Sequence, residues 1–576
     1  MRFRYIAPLA ALSLAGCATV NTGEPVYEPG GSAAGSAASM EGAVSAADPR
    51  AQAAGEAMLG KGGTATDAAI AVMLALTVVE PQSSGIGGGG FLVRGTADGS
   101  VTTYDGRETA PAAATPDWFL GEDGSLPDFR TSVASGLSVG VPGNIALAAK
   151  AHAEHGVLPW ADLFEPAIEL ARDGFVVNPR FRNSVSSMRD FLQRSPLARS
   201  LYFDAAGEPL PVGTTIRNPQ LAATLSRIAN EGREAFYSGA LPEEIAATVA
   251  ADTPKAGTMT AEDFAGYQAK TREGVCLDYR EHRVCAMGPP TSGGIAVLQM
   301  LGMLERYDLA ALGARNPETW HLFLEAQRLA YADRELYLAD SDYVSVPVEG
   351  LLDKTYLAQR SALISPDASI AQVVAGRPAG AQARADGDEP EERGTSHIAI
   401  VDRDGTMISY TSTIESAFGS GLTVGGFFLN NELTDFSRAP SVNGMLVANR
   451  VEAGKRPRSS MAPTVVYAPD GAPLLSVGAA GGSTIPVQTA RSIVGIVDFG
   501  LSAREALGLP FVMAFGNNVL LEQGTWLEDA ANAFRALGHT EISIREAPVK
   551  GGAVLRTPDG WQSARDPRLD GMLDLP

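Results

Sequence analysis

Cysteine is scarce: three residues in 576, Cys17, Cys276 and Cys285. Neither Cys276 nor Cys285 has a histidine arrangement beside it that would lower a thiol pKa, so neither is expected to be catalytic. Histidine is also sparse, with six residues scattered at no metal-ligand spacing, which argues against a metal and leaves no cofactor implied. Positive charge is the third shortage. Lysine and arginine total 45 against 66 aspartates and glutamates, a formal charge of -21 with no long basic run. Such a surface repels a phosphate backbone, which argues against nucleic acid as a partner and favours small or cationic ligands. Beyond the N-terminal leader no stretch offers about 18 apolar residues without polar interruption, so no membrane-spanning helix is expected.

What is present reads as globular: hydrophobic residues are 45% and charged residues 19%. The length suits either roughly two to four domains or one unusually large one. The 63 glycines imply many tight turns and close backbone approaches. The first segment, MRFRYIAPLAALSLAGC, joins a basic start at Arg2 and Arg4 to an apolar stretch and small residues, the pattern of an export signal. Its ending, Leu14-Ala15-Gly16-Cys17, looks like a bacterial lipoprotein signal in which Cys17 becomes the lipidated first residue. The alternative is an ordinary signal peptide with an incidental cysteine. Residues 18–40, rich in Gly, Ser, Ala and Pro, then read as a flexible linker. The expected location is the bacterial cell envelope, on the periplasmic face, with a lipid anchor to the membrane.

From about residue 41 helical and strand patterns alternate without a second linker. Residues 65–79, ATDAAIAVMLALTVV, are apolar on nearly every face and predict a buried helix. The glycine-rich EPQSSGIGGGGFLV that follows joins helix to strand, the inverse of a phosphate-binding order, and no lysine follows it; close backbone packing is the reading. Apolar spacing predicts further helices at 160–172, 219–230 and 316–335. In VCLDYREHRVC a hairpin turning at Arg280-Glu281 sets Cys276 opposite Cys285, leaving either a disulfide or two buried thiols. Residues 366–394 are polar, proline-dotted and acidic toward their end, as in an exposed loop. Directly after them, TSHIAIVDRDGTMISYTSTI alternates about an Asp404-Gly405 turn and predicts a hairpin. An exposed loop thus runs straight into a core strand at Gly394-Thr395.

A threonine at that junction becomes useful once the bond before it is cut, because its hydroxyl then lies beside a free α-amine. An α-amine with a pKa of about 7.7–8.0 suits a general base near neutral pH. Alone, Gly-Thr before a strand is too weak a signal to claim such a site. The motifs GGTATDAAIAVMLALTVVEPQSSGIGGGGFLV, GRETAPAAAT, GVPGN, PPTSGG, GTSHIAIVDRDG, NNELTDFS, GKRPRSSMAPT and AAGGS strengthen it. In this order, from about residue 45 to the C-terminus, they resemble the gamma-glutamyltranspeptidases (glutathione hydrolases) of the N-terminal nucleophile superfamily.

The resemblance implies an α+β fold, a four-layer αββα sandwich built from two fragments of one precursor. Residues 41–394 would form the large subunit and 395–576 the small one, held together as a heterodimer. It implies self-cleavage at Gly394-Thr395, with Thr395 as nucleophile and Thr413 as the threonine whose hydroxyl contacts it. Arg107 matches the arginine that grips the substrate α-carboxylate, helped by Ser459 and Ser460. Glu432 and Asp435 match the acidic pair holding the α-amino group, and Gly481 and Gly482 the oxyanion hole. The chemistry is consistent: a γ-glutamyl group ends in a zwitterion, which needs a forked cation and nearby anionic acceptors. Paired glycine amides can meet a developing oxyanion. The implied activity transfers the γ-glutamyl group of glutathione or other γ-glutamyl amides to water or to an amino acid or dipeptide acceptor.

Two departures from the pattern matter. At Glu415 many relatives carry asparagine as a further amino-group ligand, so this pocket would be more acidic. The stretch from Asp435 to Ser459 is shorter than in lidded relatives, with no aromatic after Phe436 to roof the pocket, which implies a more open site. His397, two residues after Thr395 on an extended strand, would share its face and either tune the site or simply be hydrogen-bonded in the core. The nearest rival is a related acylase acting on glutaryl-cephalosporins, whose substrates need no acidic amine pocket. A rival of another class is a non-catalytic envelope lipoprotein of the same fold.

Overall fold

Thr64 starts the buried helix Ala65–Val79: its hydroxyl accepts from the Asp67 amide while the Asp67 carboxylate accepts from the Thr64 amide at 2.8 Å. Every residue of that helix is buried, as a pattern apolar on all faces requires. The computed structural model describes residues 38–254, 258–387 and 394–574. The export leader, Cys17 and nearly all of the 18–40 linker lie outside the described residues.

Two six-stranded antiparallel sheets form the centre. One runs Gly42–Ala46, Ser396–Asp402, Met407–Thr413, Gly89–Gly95, Val101–Gly106, Lys270–Glu273. The other runs Gly560–Arg565, Lys550–Thr557, Pro473–Ala480, Thr464–Tyr467, His282–Ala286, Val275–Tyr279. They face each other and are tied by inward hydroxyls: Ser409 Oγ donates to Val477 O at 2.9 Å, and Ser476 Oγ to Ile408 O at 2.7 Å. Ala65–Val79 and its neighbours cover the outside of the first sheet, and Gly293–Leu304, Pro317–Tyr337 and Ile485–Val497 cover the second. This is the expected four-layer αββα sandwich. Both sheets mix strands from before and after residue 394, so the junction is not a domain boundary.

Local departures from the sequence pattern have physical causes. The helix expected over 160–172 is a short 3-10 turn, Trp160–Leu163, followed by Glu165–Asp173, because Pro166 fits only the first turn of a helix. The helices at Pro219–Glu231 and Pro317–Tyr337 start on prolines capped by Asn218 and Asn316. The stretch between Asp435 and Ser459 holds an unforeseen small hairpin, Ser441–Val442 with Met445–Leu446, turning at Asn443 (φ 52°) and Gly444 (φ 77°). Asn-Gly is the turn signal that marks it. Residues 366–387 form the expected exposed loop, tacked to the body where Ser369 N donates to Leu537 O at 2.6 Å and Ala385 pairs with Val447. The remaining acidic residues 388–393 of that loop lie outside the described residues. Cys276 and Cys285 face each other across the Arg280-Glu281 turn, with Cα atoms 4.1 Å apart and the sulfurs bonded.

Candidate active site

Thr395 lies just outside the strand Ser396–Asp402, at the floor of a cavity of about 2100 Å³ that Gly394, Gly481, Ser483, Arg180 and Lys550 also line. Its hydroxyl is 3.4 Å from that of Thr413, which accepts from the Glu415 amide at 2.7 Å. Its φ is 124°, a region that a β-branched residue almost never adopts and that costs roughly 1–3 kcal/mol. Gly394 is equally constrained: a Cβ there would sit 1.3 Å from the Glu415 carbonyl oxygen. The junction is thus a strained residue preceded by one that must be glycine. Gly88 lets the neighbouring strand approach, since a Cβ there would lie 2.0 Å from Thr413 O; the glycine run serves close backbone packing.

Three charged groups that the sequence reading missed gather beside Thr395. Lys550, at the start of its strand, donates to Thr395 O at 2.9 Å and to Glu80 Oε2 at 2.8 Å, with Ser396 Oγ 3.2 Å away. Glu80, at the end of the buried helix, also accepts from Ser396 Oγ at 2.7 Å and pairs with Arg180. Burial, with Arg180 close by, holds the Lys550 ammonium well below the usual lysine range. Glu80 stands inside a family-like motif, whereas Lys550 and Arg180 belong to none; only the fold joins the three.

The residues matched to substrate gripping form a second, sealed group. Arg107 is fully buried and pairs through Nη1 with Glu432 and through Nη2 with Asp435 at 2.5 Å. Its Nε donates to Pro457 O at 3.2 Å and Nη2 to Arg458 O at 3.0 Å, the two residues just before Ser459. The structure therefore brings cation and acids together as partners, not as two separated subsites. Glu108 is also fully buried, 3.9 Å from Arg107, so the two are no surface ion pair. Neither Glu108 carboxyl oxygen has a hydrogen-bond partner; burial, with Asp435 adding to it, pushes that carboxyl up to about 7 despite Arg107. Ser459 and Ser460 pack on the Thr291-Ser292 segment: Ser459 O accepts from Ser292 N at 2.7 Å, and Ser460 Oγ accepts from Arg334 at 2.5 Å.

A hydrogen-bonded run joins the two groups. Glu415, whose φ is 69°, accepts through its carboxylate from Ser416 Oγ and Asn431 Nδ2, and Asn431 Oδ1 accepts from the Ser416 amide at 2.9 Å. Asn431 directly precedes the 3-10 turn Glu432–Asp435. Gly481 and Gly482 both have positive φ, 126° and 58°, and the Gly481 carbonyl is taken by Thr484 Oγ1 at 2.8 Å, fixing the loop beside Thr395.

His397 packs against Gly478 and Gly552 of the facing sheet, with Nδ1 3.0 Å from Thr411 Oγ1, and is not among the residues lining the cavity. Thr395 precedes the strand, so strand alternation does not tie the two side chains to one face. Burial lowers the His397 pKa to about 3, leaving it neutral at working pH. The histidines are less scattered than their sequence positions suggest. His321, Glu325 and His539 place ligand-type atoms within 4.8 Å of one another, among the described residues. His321 Nδ1 lies 2.8 Å from His539 Nε2, while Glu325 already accepts from Arg328 at 2.7 Å and from the Ile370 amide at 2.8 Å. That arrangement is satisfied by hydrogen bonds and an arginine without an ion.

Comparison with known proteins adds independent findings. A family model described as gamma-glutamyltranspeptidase matches residues 51–574. The glutathione hydrolase proenzyme of Escherichia coli (strain K12) is 35% identical over 494 residues, covering 84% of this chain and 83% of its own. A cephalosporin acylase from Bacillus halodurans superposes with a TM-score of 0.80 at 27% identity, over 94% of this chain and 98% of its own. The gamma-glutamyltranspeptidase of Helicobacter pylori gives a TM-score of 0.55 at 35% identity, over 57% of this chain and 93% of that one.

Proposed function

Because the chain belongs to the gamma-glutamyltranspeptidase family of N-terminal nucleophile hydrolases, we propose that it cuts itself at Gly394-Thr395 and transfers γ-glutamyl groups from glutathione or similar amides. The observation that carries this reading is Thr395: strained, held against Thr413, and facing a cavity wide enough for a peptide-sized leaving group.

In self-cleavage the Thr395 hydroxyl adds to the Gly394 carbonyl, and the bond to the Thr395 nitrogen breaks as that nitrogen takes a proton. Water then hydrolyses the resulting ester and leaves Thr395 with a free α-amine. In turnover that amine accepts the hydroxyl proton as Oγ1 adds to the γ-carbonyl carbon, and the oxyanion forms near the Gly481 and Gly482 amides. Collapse expels the amine product, which takes the proton. Water or the amine of an amino acid or dipeptide next attacks the glutamyl ester, giving up a proton to the α-amine, and Thr395 is regenerated.

Substrate binding is an exchange of ion pairs. The α-carboxylate replaces the acids on Arg107, with Ser459 and Ser460 assisting, and the ammonium takes Glu432 and Asp435, with Glu415 adding negative charge nearby. The two fragments stay together after cutting because each contributes strands to both sheets. The leader supports export and attachment through Cys17 at the periplasmic face of a bacterial envelope.

The relation to a cephalosporin acylase keeps one alternative. A glutaryl amide lacks the α-amine, so binding it would strand Glu432 and Asp435 without a cation, a buried arrangement that is strongly unfavourable. Comparing hydrolysis of γ-glutamyl and glutaryl anilides separates the readings: preference for the glutaryl compound would make this an acylase. N-terminal sequencing of the smaller fragment should begin at Thr395, and Thr395→Ala should stay one uncut chain. Two fragments from that variant would mean another protease makes the cut.

A further inference from the structure

Lys550 has no role in the mechanism above, yet its nitrogen sits on the carbonyl of the nucleophilic residue itself. It is the first residue of its strand, and its backbone amide is fixed by Gln488 Oε1 at 2.9 Å. An ammonium has three donors, and the acceptors around it are Glu80 Oε2 at 2.8 Å, Thr395 O at 2.9 Å, Ser396 Oγ at 3.2 Å and, farther off, Ser83 Oγ at 3.4 Å. Ser396 spends its own proton on Glu80, which leaves its lone pair for Lys550. A largely buried cation so engaged acts as a strut between the end of the helix Ala65–Val79 and the residue before the strand Ser396–Asp402.

We propose that Lys550 is a positioning residue for Thr395: anchored by Glu80, it fixes the nucleophile's carbonyl and, once Thr395 carries a free α-amine, keeps that amine unprotonated at neutral pH. This rests on the functional reading above. The anchoring follows from the strain at Thr395. A β-branched residue at φ 124° persists only where its surroundings over-determine it, and Lys550 holds the one backbone oxygen that sets its orientation. The electrostatic part follows from position. The Glu80 carboxylate 2.8 Å away favours the ammonium form of Lys550 against the lowering by burial and Arg180, and because amine and carbonyl flank the same Cα, that ammonium lies one residue's width from the amine and disfavours a second positive charge there. The other charges around the pair are Arg180, which acts in the same sense, and Glu80, Asp48 and Glu415, which oppose it. Glu80 is shared between Arg180 and Lys550 and Asp48 is paired with Arg50, so Lys550 is the charge that touches Thr395 itself. His397 is neutral and faces the other sheet.

The test uses full-length Lys550→Met and Lys550→Arg beside wild type. Thermal unfolding checks the fold, gels follow self-cleavage, and kcat/KM for a γ-glutamyl anilide is measured against pH. Lys550→Met should cut itself at least about tenfold more slowly. Its cut fraction should show the acid limb of kcat/KM moved up by about one pH unit, with KM changed little, because Lys550 does not touch the substrate grip. Lys550→Arg, which keeps the charge, should leave that limb in place. A folded Lys550→Met that cuts at the wild-type rate with an unmoved limb overturns the proposal, as does an equal shift in both variants, which would mark lost packing. If Lys550→Met does not fold, Lys550→Arg decides: a wild-type limb supports the role, a shifted one overturns it. Wild type that neither cuts nor turns over the anilide sinks the functional reading and this proposal with it.

Discussion

Thr395 and Arg107 stand at opposite ends of one hydrogen-bonded run, and their surroundings differ in kind. Around Arg107 the groups are dry: Glu432 and Asp435 pair with one guanidinium, and Glu108 lies 3.9 Å away with no hydrogen bond of its own. Around Thr395 the chain is strained and a wide cavity opens, lined also by Arg180 and by Lys550, which holds the Thr395 carbonyl. Recognition of a zwitterion needs groups that neutralise each other until the substrate replaces them, whereas a nucleophile needs access and a conformation that it does not relax from. The first requirement favours burial; the second tolerates backbone strain that a sheet on either side can hold.

The largest effect should come from closing the reactive end. In Gly394→Ala the new methyl group has nowhere to go beside the Glu415 carbonyl. Displacing the scissile bond by about an ångström should slow self-cleavage on the order of 100-fold or more. The protein should still fold, since the junction belongs to no strand, and gels should show one uncut band. Normal cutting would mean that the junction is not held as tightly as this contact requires.

Arg107→Ala probes the sealed end. It leaves two buried carboxylates without their cation, so it should destabilise the protein by about 3–5 kcal/mol and raise KM for γ-glutamyl substrates on the order of 100-fold. Self-cleavage, which uses no zwitterion, should suffer far less than KM. Equal damage to both would erase the contrast between the two ends and remove Arg107 from substrate binding.

Glu108 sharpens the comparison through pH. Its folded-state pKa of about 7 lies above the ordinary 4.5, so between those values the folded protein holds a proton that the unfolded chain has lost. Stability from this group is therefore full below about 4.5 and declines as pH rises through 7. Glu108→Gln has no such decline. Its stability relative to wild type should improve across that window by up to about 3 kcal/mol, read from unfolding curves at several pH values. A constant difference from pH 5 to 8 would show Glu108 ionised throughout and the cluster more strongly charged than its burial allows.

What was legible in the sequence follows the same division. The helix Ala65–Val79 could be read to the residue because burial on all faces and a capping pair are local facts. The Asp404-Gly405 turn and the Arg280-Glu281 turn are equally local. The roles proposed for Arg107, Glu432 and Asp435 rest on motif resemblance, which does not carry their mutual pairing, because that depends on segments more than 300 residues apart meeting at one point. Lys550, Glu80 and Arg180 come from three segments with no shared motif, and His321 and His539 are 218 residues apart. Nothing in a local pattern could join them. The positive φ at Thr395 runs against the preference of its residue type, so propensity would have argued the other way.

The Asn443-Gly444 hairpin offers the smallest effect and a test of how open the reactive side is. It exposes Val442, Met445 and Leu446 at 38%, 45% and 54%. Because these side chains bury little on the protein, Met445→Ser with Leu446→Ser should change stability by less than about 0.5 kcal/mol. If the cavity is unroofed during turnover, as the short stretch before Ser459 implies, KM should also stay within about twofold, the equivalent of ~0.4 kcal/mol. A tenfold rise in KM with stability unchanged would mean that the hairpin folds down on the substrate. The open end would then borrow from the sealed one the exclusion of water that Arg107 obtains by burial.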